Sequence, residues 1–388
     1  MEKTIPAIPG QTRYRQLDSL RGLAAVSVFF THYIGMKMSL PLFNILRPSP
    51  LGILFNGSAA VILFFVLSGF VLSLPFIDNG KSLKLTAFYT KRIFRIYPAY
   101  IVAIILAIVL KQFLFDKNGL APYADWIKNF WAWNWNAETP KEIWRTLLMI
   151  GPNFNVNHID PPIWSLVIEM KMSFVLPFFI IVVSRGGVAL NIGLLLVLAW
   201  FTFEHDSWAI SVFYSGILMA KYKDQLIKRI GSWHRGVIIL AILVSIFLYN
   251  NNYEFLKRIQ DFKFDSKYTF SNYLVTLGCC AIIIIVLARK TISRFLEHRI
   301  FTFFGDISYS FYLIHVPILL TMGSLTSNRF ALSPLYIFLS AFVLTVAVSY
   351  LMCIFIERPF QQFASRLIKK YKIFNGIELA IKLSPAKN

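Results

Sequence analysis

Long apolar segments recur along the whole chain, and they constrain its fold more than any other feature. A helix needs about 20 mostly apolar residues to cross the hydrocarbon core of a bilayer. Ten segments reach or approach that length, although the sixth and seventh are short. They are residues 20–39, 51–75, 97–115, 162–183, 187–204, 207–221, 236–250, 270–288, 303–323 and 334–356. We therefore predict an all-α, polytopic membrane helix bundle with about ten transmembrane helices.

Composition favours lipid over water as the solvent for most of the chain. Of its 388 residues, 57% are hydrophobic and 15% are charged, whereas a soluble domain is about 45–50% apolar. The net charge of +20 would suit nucleic acid if the basic residues formed a patch on a soluble domain. They lie instead between the apolar segments, where Lys and Arg act as topology signals. We expect the lipid bilayer as a partner and no nucleic acid.

The distribution of Lys and Arg between alternate loops predicts the orientation. With a cytoplasmic N-terminus and ten spans, the cytoplasmic segments hold 26 of these residues and the external segments hold 12. Lys171, inside the fourth span, completes the 39. Because cytoplasmic loops are enriched in Lys and Arg, both termini are expected to be cytoplasmic. Residues 1–360 would form the transmembrane domain, and residues 361–388 a basic cytoplasmic tail suited to anionic lipid.

The longest external stretch, residues 116–161, is rich in tryptophan. Its members are Trp126, Trp131, Trp133, Trp135 and Trp144. Tryptophan is common at the membrane–water interface, so an interfacial belt is the default interpretation, and stacking on a sugar ring is the other. We predict a partly helical cap on the outer face.

Several enzyme motifs are missing from the sequence. It has no Walker A loop, no GxGxxG and no HExxH, and it lacks the GxSxG elbow of serine hydrolases. The three cysteines show no metal-ligand spacing. We therefore expect no metal.

The first span carries ionisable groups, which are costly inside a membrane and usually functional there. Arg21 and His32 are eleven residues apart, so at 100° per residue they lie about 20° from each other on one helix face. Asp18 lies near the same face. A rise of roughly 16 Å places His32 near the midplane when Arg21 is at the cytoplasmic boundary. The functional interpretation competes with an interfacial Asp18–Arg21 ion pair and a packed histidine.

Two further spans carry polar groups of the same kind. Glu169 lies about 10 Å below the external surface, and a structural salt bridge between helices remains the alternative to a functional role. In the ninth span, Tyr309, Tyr312 and His315 are spaced to form a polar seam, with His315 at about the depth of His32. Hydrogen bonding that only joins helices is the alternative there.

A basic pattern lies in the loop before the third span. Arg92 and Arg95 are three residues apart and face one way on a helix. Paired guanidinium groups suit phosphate. The alternative is ordinary positive charge on a cytoplasmic loop.

Taken in order, these residues resemble the acyltransferase 3 family of bacterial membrane O-acyltransferases, nearly from end to end. The motifs are an Arg-x10-His pattern from Arg21 to His32, Phe-Phe-Val-Leu-Ser-Gly-Phe at 64–70, Arg-Ile-Phe-Arg-Ile-Tyr-Pro at 92–98, Trp-Ser-Leu-Val-Ile-Glu at 164–169, Gly-Asp-Ile-Ser-Tyr-Ser-Phe-Tyr-Leu-Ile-His at 305–315 and Glu-Arg-Pro-Phe at 357–360. Each motif is weak alone, but six in order are specific. The family often has a second acidic residue after the motif glutamate, where this chain has Met170. A carboxylate pair at that point is therefore not expected.

The resemblance implies acetyl-CoA, or another acyl-CoA, as donor and a carbohydrate or lipid-linked glycan as acceptor at a bacterial inner membrane. It implies a stand-alone form without a fused extracytoplasmic domain. The residues assigned on this basis are His32, Glu169 and Asp18 for catalysis, Arg21, Arg92 and Arg95 for CoA, and Trp164, Ser165, Tyr309, Tyr312 and His315 for the acceptor. A transporter or flippase of a glycan is the rival class, since it would use the same midplane residues. Transporters often show inverted repeats, which this sequence lacks.

Overall fold

The computed structural model describes residues 14–36, 49–77, 83–116, 131, 139–149, 159–204, 207–250, 264–329 and 334–370. Within these ranges the chain is helical and contains no strand, as predicted. The α-helices are α1 (Arg15–Met36), α2 (Gly57–Ile77), α3 (Leu85–Phe113), α4 (Thr139–Leu148), α5 (Ile163–Arg185), α6 (Val188–Glu204), α7 (Ala209–Gly231), α8 (Arg235–Asn250), α9 (Phe264–Ala288), α10 (Lys290–Leu296), α11 (Arg299–Arg329), α12 (Pro334–Met352) and α13 (Arg358–Lys370). A 3₁₀ turn (Pro50–Phe55) precedes α2, and a π-helical turn (Cys353–Glu357) joins α12 to α13.

Each of the ten predicted segments has a helix. By length and composition, six described segments can cross a membrane: Gly57–Ile77, Leu85–Phe113, Ile163–Arg185, Thr269–Ala288, Arg299–Leu325 and Leu335–Lys370. Two shorter apolar helices occupy Val188–Thr202 and Arg235–Asn250. Helices suit this solvent because every backbone polar group must be satisfied within the segment. The protein is thus a membrane protein, while the total of about ten crossings and the orientation of the termini stay predictions.

Glycines bring two helix pairs into unusually close contact. A Cβ atom built on Gly22 of α1 would lie 2.5 Å from the backbone nitrogen of Gly305 on α11. A Cβ atom on Gly69 of α2 would lie 2.2 Å from the carbonyl oxygen of Phe213 on α7, and Gly216 is equally crowded. Small residues allow such approach of helix backbones in membranes. The α1–α11 crossing sets the two helices that carry the candidate histidines side by side.

The outer helices show the surface expected next to lipid. Leu190, Leu196 and Trp200 on α6 are 60%, 64% and 69% exposed, while Phe29 on α1 and Phe311 on α11 are buried at the centre. Apolar side chains can stay on the exterior because lipid, unlike water, does not drive them inward. For the same reason, apolar residues are found both on the surface and at the centre. Inside the bundle, packing and polar contacts determine which faces meet.

The predicted cap and tail are described only in part. Helix α4 lies within residues 116–161, and Trp131 is buried there, where its Nε1 donates to the carbonyl oxygen of Ile159 at 2.7 Å. Trp144 is exposed, and Trp126, Trp133 and Trp135 lie outside the described residues. The boundary predicted at residue 360 falls within α13, and residues 371–388 also lie outside the described ranges.

Candidate active site

Two histidines from distant parts of the chain meet inside the bundle. Nε2 of His315 lies 3.0 Å from Nδ1 of His32, and the ring centroids are 5.0 Å apart. His315 is fully buried, and His32 is half-buried. The contact agrees with the similar depths predicted for the two residues. The two helices run parallel, because Gly22, which precedes His32 on α1, meets Gly305, which precedes His315 on α11.

Backbone carbonyl groups fix the tautomers of this pair. Nδ1 of His315 lies 2.6 Å from the carbonyl oxygen of Tyr312, and a carbonyl can only accept, so Nδ1 carries the proton. Nε2 of His315 is then an acceptor. Nδ1 of His32 lies 3.0 Å from the carbonyl oxygen of Val28, so it too carries a proton, which it shares with Nε2 of His315. The lone pair of His32 is therefore on Nε2, the nitrogen able to take a proton from a substrate.

A pair of hydroxyl groups lies next to the histidines. The hydroxyl groups of Tyr312 and Ser165 are 2.7 Å apart, and the Tyr312 hydroxyl also contacts the carbonyl oxygen of Pro162 at 3.2 Å. The rings of Tyr312 and His315 are 5.7 Å apart. We call Ser165, Tyr312, His315 and His32 the polar row. It joins α5, α11 and α1 through side chains that sequence analysis assigned to catalysis or to the acceptor.

Glu169 forms an ion pair with Arg92 of the neighbouring antiparallel helix. Nη2 of Arg92 lies 2.7 Å from Oε1 of Glu169, and Nε of Arg92 donates to Oγ of Ser173 at 3.0 Å. The hydroxyl group of Ser68 on α2 donates to the same carboxylate oxygen at 3.4 Å. Both side chains are mostly buried, with 10% and 23% exposed. The salt bridge weighed from the sequence is thus present, and its partner is a residue assigned to CoA.

Arg95 has a different carboxylate partner. Its Nη1 lies 3.4 Å from Oε2 of Glu357, and its guanidinium group lies over the ring of Tyr309, 5.7 Å from the centroid. Glu357 is buried and also accepts hydrogen bonds from the backbone and side chain of Ser310. The hydroxyl group of Tyr309 donates to the carbonyl oxygen of Ile96 at 2.8 Å. Arg95 keeps 38% of its side chain exposed, so it can still contact a ligand.

Arg21 completes a cluster of basic side chains around Glu169. Arg21, Arg92 and Arg95 all act electrostatically on the carboxylate of Glu169. Arg21 pairs with Asp18 at 4.0 Å, as the structural interpretation of the first span predicts. We call these three arginines the basic cluster. Three guanidinium groups so close together suit a polyanion such as the phosphates of a nucleotide donor.

Two residues assigned from the sequence lie away from the polar row. Asp18 is fourteen residues from His32, or about 21 Å along α1, so the helix separates it from the histidine pair. Trp164 is 38% exposed, unlike its buried neighbour Ser165. The shared helix face predicted for Asp18, Arg21 and His32 is compatible with this arrangement, because α1 carries them at successive levels.

The structure adds residues to which sequence analysis gave no role. Glu357 and Asp160 are buried at 1% and 0% exposure, while Ser68 and Ser173 bond to the Arg92–Glu169 pair. Glu357 could have been selected from the sequence, because it is an ionisable residue directly after the last apolar segment. Within the described residues, no group of three or more His, Cys, Asp or Glu side chains is arranged to hold a metal ion.

The chain matches a known protein family and is similar to a known O-acetyltransferase. A family model described as an acyltransferase domain (Acyl_transf_3) matches residues 14–354, which is most of the chain and includes every residue of the polar row and the basic cluster. The O-acetyltransferase PaAT-1 of Phomopsis amygdali is 24% identical, over 81% of this chain and 74% of the relative. No solved structure matches the chain.

Proposed function

The chain belongs to the Acyl_transf_3 family of acyltransferases, and from this premise we propose that it transfers an acetyl group from acetyl-CoA to a hydroxyl group of a cell-surface carbohydrate, such as O-antigen or exopolysaccharide. The observation that carries the proposal is the His32–His315 contact. It places the proton of the neutral imidazole on Nδ1 of His32, so Nε2 carries the lone pair that can take a proton. The similarity to a protein named as an O-acetyltransferase supports acetyl as the group transferred.

The proposed reaction moves one proton and one acyl group. Nε2 of His32 takes the proton of the acceptor hydroxyl group as its oxygen bonds to the thioester carbonyl carbon. The carbon–sulfur bond then breaks, and the CoA thiolate takes the proton back from the imidazolium group. In an acyl-relay route, Nε2 instead bonds to the thioester carbonyl carbon and the CoA thiolate leaves. The acceptor hydroxyl group then attacks the acetyl carbon, the bond to Nε2 breaks, and the hydroxyl proton goes to the thiolate. Both routes need the Nδ1–H tautomer of His32.

The basic cluster is proposed to hold the donor from the cytoplasmic side of a bacterial inner membrane. Although Arg95 is paired with a carboxylate, its side chain is more exposed than that of Arg92. Arg95 would therefore contact the CoA phosphates first. The polar row would then lie between a donor entering at the arginines and an acceptor entering from outside. An uncharged imidazole is the favoured form where charge is costly, which suits a proton acceptor there.

Arg95→Ala is expected to raise the KM for acetyl-CoA by about 10- to 100-fold, through loss of a charge-assisted phosphate contact worth about 1.5–3 kcal/mol. Arg92→Ala should do the same, with an added loss of stability from its ion pair. The measurement is the initial rate of the purified protein against donor concentration. Lys91→Ala is the matched control, since Lys91 is a neighbouring exposed cation. Equal losses with S-acetylpantetheine, which lacks the nucleotide phosphates, would make the arginines structural.

The proposed orientation predicts the location of reporter fusions. Fusions after Ala137 and Asn328 should report from outside the cytoplasm, and a fusion after Asp224 should report from the cytoplasm, because of the charge difference between alternate loops. Paired alkaline phosphatase and fluorescent protein reporters measure both locations. An external signal at Asp224 would contradict ten spans with cytoplasmic termini.

Consumption of acetyl-CoA by the purified protein is the direct test of the function. Radiolabelled acetyl-CoA is mixed with the protein and with methyl glycosides of glucose, galactose and rhamnose, and acetylated product is separated from donor. Transfer that depends on both the protein and a glycoside is the expected result. A glycan transporter would leave acetyl-CoA unchanged, and that outcome would reject the proposal.

A further inference from the structure

Asp160 is a buried acid whose carboxyl group has no hydrogen-bond partner among the described residues. It lies three residues before α5, outside the spanning segment, and its side chain is 0% exposed. Neither carboxyl oxygen has a hydrogen-bond partner within the described part of the chain. Its backbone oxygen accepts a hydrogen bond from the amide of Ile163 at 3.2 Å, and no side chain caps the helix.

Such a group is expensive to keep. A buried polar group without a hydrogen bond loses its solvation and gains nothing in return. Burial raises the pKa of the Asp160 carboxyl well above its usual range, which favours the neutral acid at ordinary pH. A neutral carboxylic acid offers one donor and one acceptor side by side. That combination matches a hydroxyl group, which also donates and accepts.

The surroundings of Asp160 connect it with the polar row. Its carboxyl group lies within electrostatic range of the hydroxyl groups of Tyr312 and Tyr100. Two residues further on, the carbonyl oxygen of Pro162 contacts the Tyr312 hydroxyl. Tyr312 in turn contacts Ser165 and lies against His315. Asp160 therefore lies at the end of the row that is farthest from His32.

We infer that Asp160 binds the acceptor, through hydrogen bonds between its carboxyl group and neighbouring hydroxyl groups of a neutral carbohydrate. The acceptor would then extend along Tyr312 and Ser165, with the reacting hydroxyl group at Nε2 of His32. This inference rests on the proposed function. Asp160 is a binding residue here, because the proton balance of acyl transfer is complete without it.

Two variants separate a binding role from a structural one. Asp160→Val removes an unpartnered polar group and fills its place with apolar atoms. Asp160→Asn keeps a neutral group with a donor and an acceptor. Valine is expected to raise the midpoint of thermal unfolding by about 2–4 °C, since the buried carboxyl group has no hydrogen bond to lose among the described residues. A structural aspartate would give the opposite result.

The functional measurement uses the same methyl glycosides of glucose, galactose and rhamnose, at millimolar concentration. Asp160→Val should raise the KM for the glycoside by about 5- to 100-fold, the loss of two neutral hydrogen bonds, and leave the KM for acetyl-CoA unchanged. Asp160→Asn should stay within about threefold of wild type, because an amide replaces both hydrogen bonds. The glycoside should also raise the unfolding midpoint of the wild type but not that of Asp160→Val.

The outcomes are separate for the two proposals. Unchanged acetyl-CoA after incubation of the wild type with each glycoside would reject the proposed function, whatever Asp160 does. An unchanged glycoside KM in Asp160→Val, a lower unfolding midpoint, or no stabilisation of the wild type by any glycoside would reject the acceptor role. If Asp160→Asn lost as much affinity as Asp160→Val, the neutral carboxyl would be wrong, and an ionised carboxylate that accepts hydrogen bonds from two hydroxyl groups of the glycoside would replace it.

Discussion

His32→Ala is expected to lower acetyl transfer by about 10²- to 10⁴-fold, the usual contribution of a general base. The reason is the fixed tautomer, because Val28 and His315 hold the proton on Nδ1 and leave Nε2 as the acceptor of the substrate proton. The protein should still insert and fold, since His32 is only half-buried and the substitution leaves the close α1–α11 crossing at Gly22 and Gly305 in place. The measurement is acetylated glycoside per unit of folded protein. A fully active His32→Ala would remove the core of the mechanism.

Related variants distinguish the roles of the two histidines. His32→Gln should fail as well, because an amide forms hydrogen bonds but cannot take the proton. Substantial activity in His32→Gln would mean that the residue only orients the acceptor. His315→Gln should retain more activity than His315→Leu, since the glutamine oxygen can replace Nε2 as acceptor for Nδ1–H of His32. Equal activity of these two would argue against the tautomer chain.

Separating Arg92 from Glu169 is expected to destabilise the protein by about 3–5 kcal/mol, because either single replacement leaves the other charge inside the bundle. Arg92→Met and Glu169→Leu are suitable, since both keep apolar volume. The double variant should be less destabilised than the sum of the singles. Denaturant unfolding in detergent micelles measures the coupling. Additive losses would show that the 2.7 Å contact contributes little.

Activity of the double variant decides between the two interpretations of Glu169. If the ion pair is only structural, restoring stability should restore transfer. If Glu169 or Arg92 also acts on substrate, the double variant should be folded and inactive. Asp224→Asn is the control, because Asp224 is 82% exposed and an exposed ion pair contributes at most about 1 kcal/mol.

Local sequence was sufficient for the helices and for most of the candidate residues. A run of apolar residues forms its own backbone hydrogen bonds in lipid, so a helix covers each predicted segment without knowledge of its neighbours. Ionisable groups are rare there, and this rarity singled out His32, Glu169 and His315. The Arg-x10-His spacing likewise follows from one helix alone.

Only the tertiary structure decided which of these groups meet. His32 and His315 are 283 residues apart in sequence, and Arg92 and Glu169 are 77 apart, so no local pattern encodes either contact. Those pairs depend on helix crossings such as the one at Gly22 and Gly305, where backbones approach because side chains are absent. The sequence also did not predict that Asp160 is buried. A charged residue outside an apolar segment is expected to be hydrated, and only the packing of the helices shows that it is not. The sequence thus determined the elements and the chemistry available, while packing between helices determined the partners of each charge and hydroxyl group.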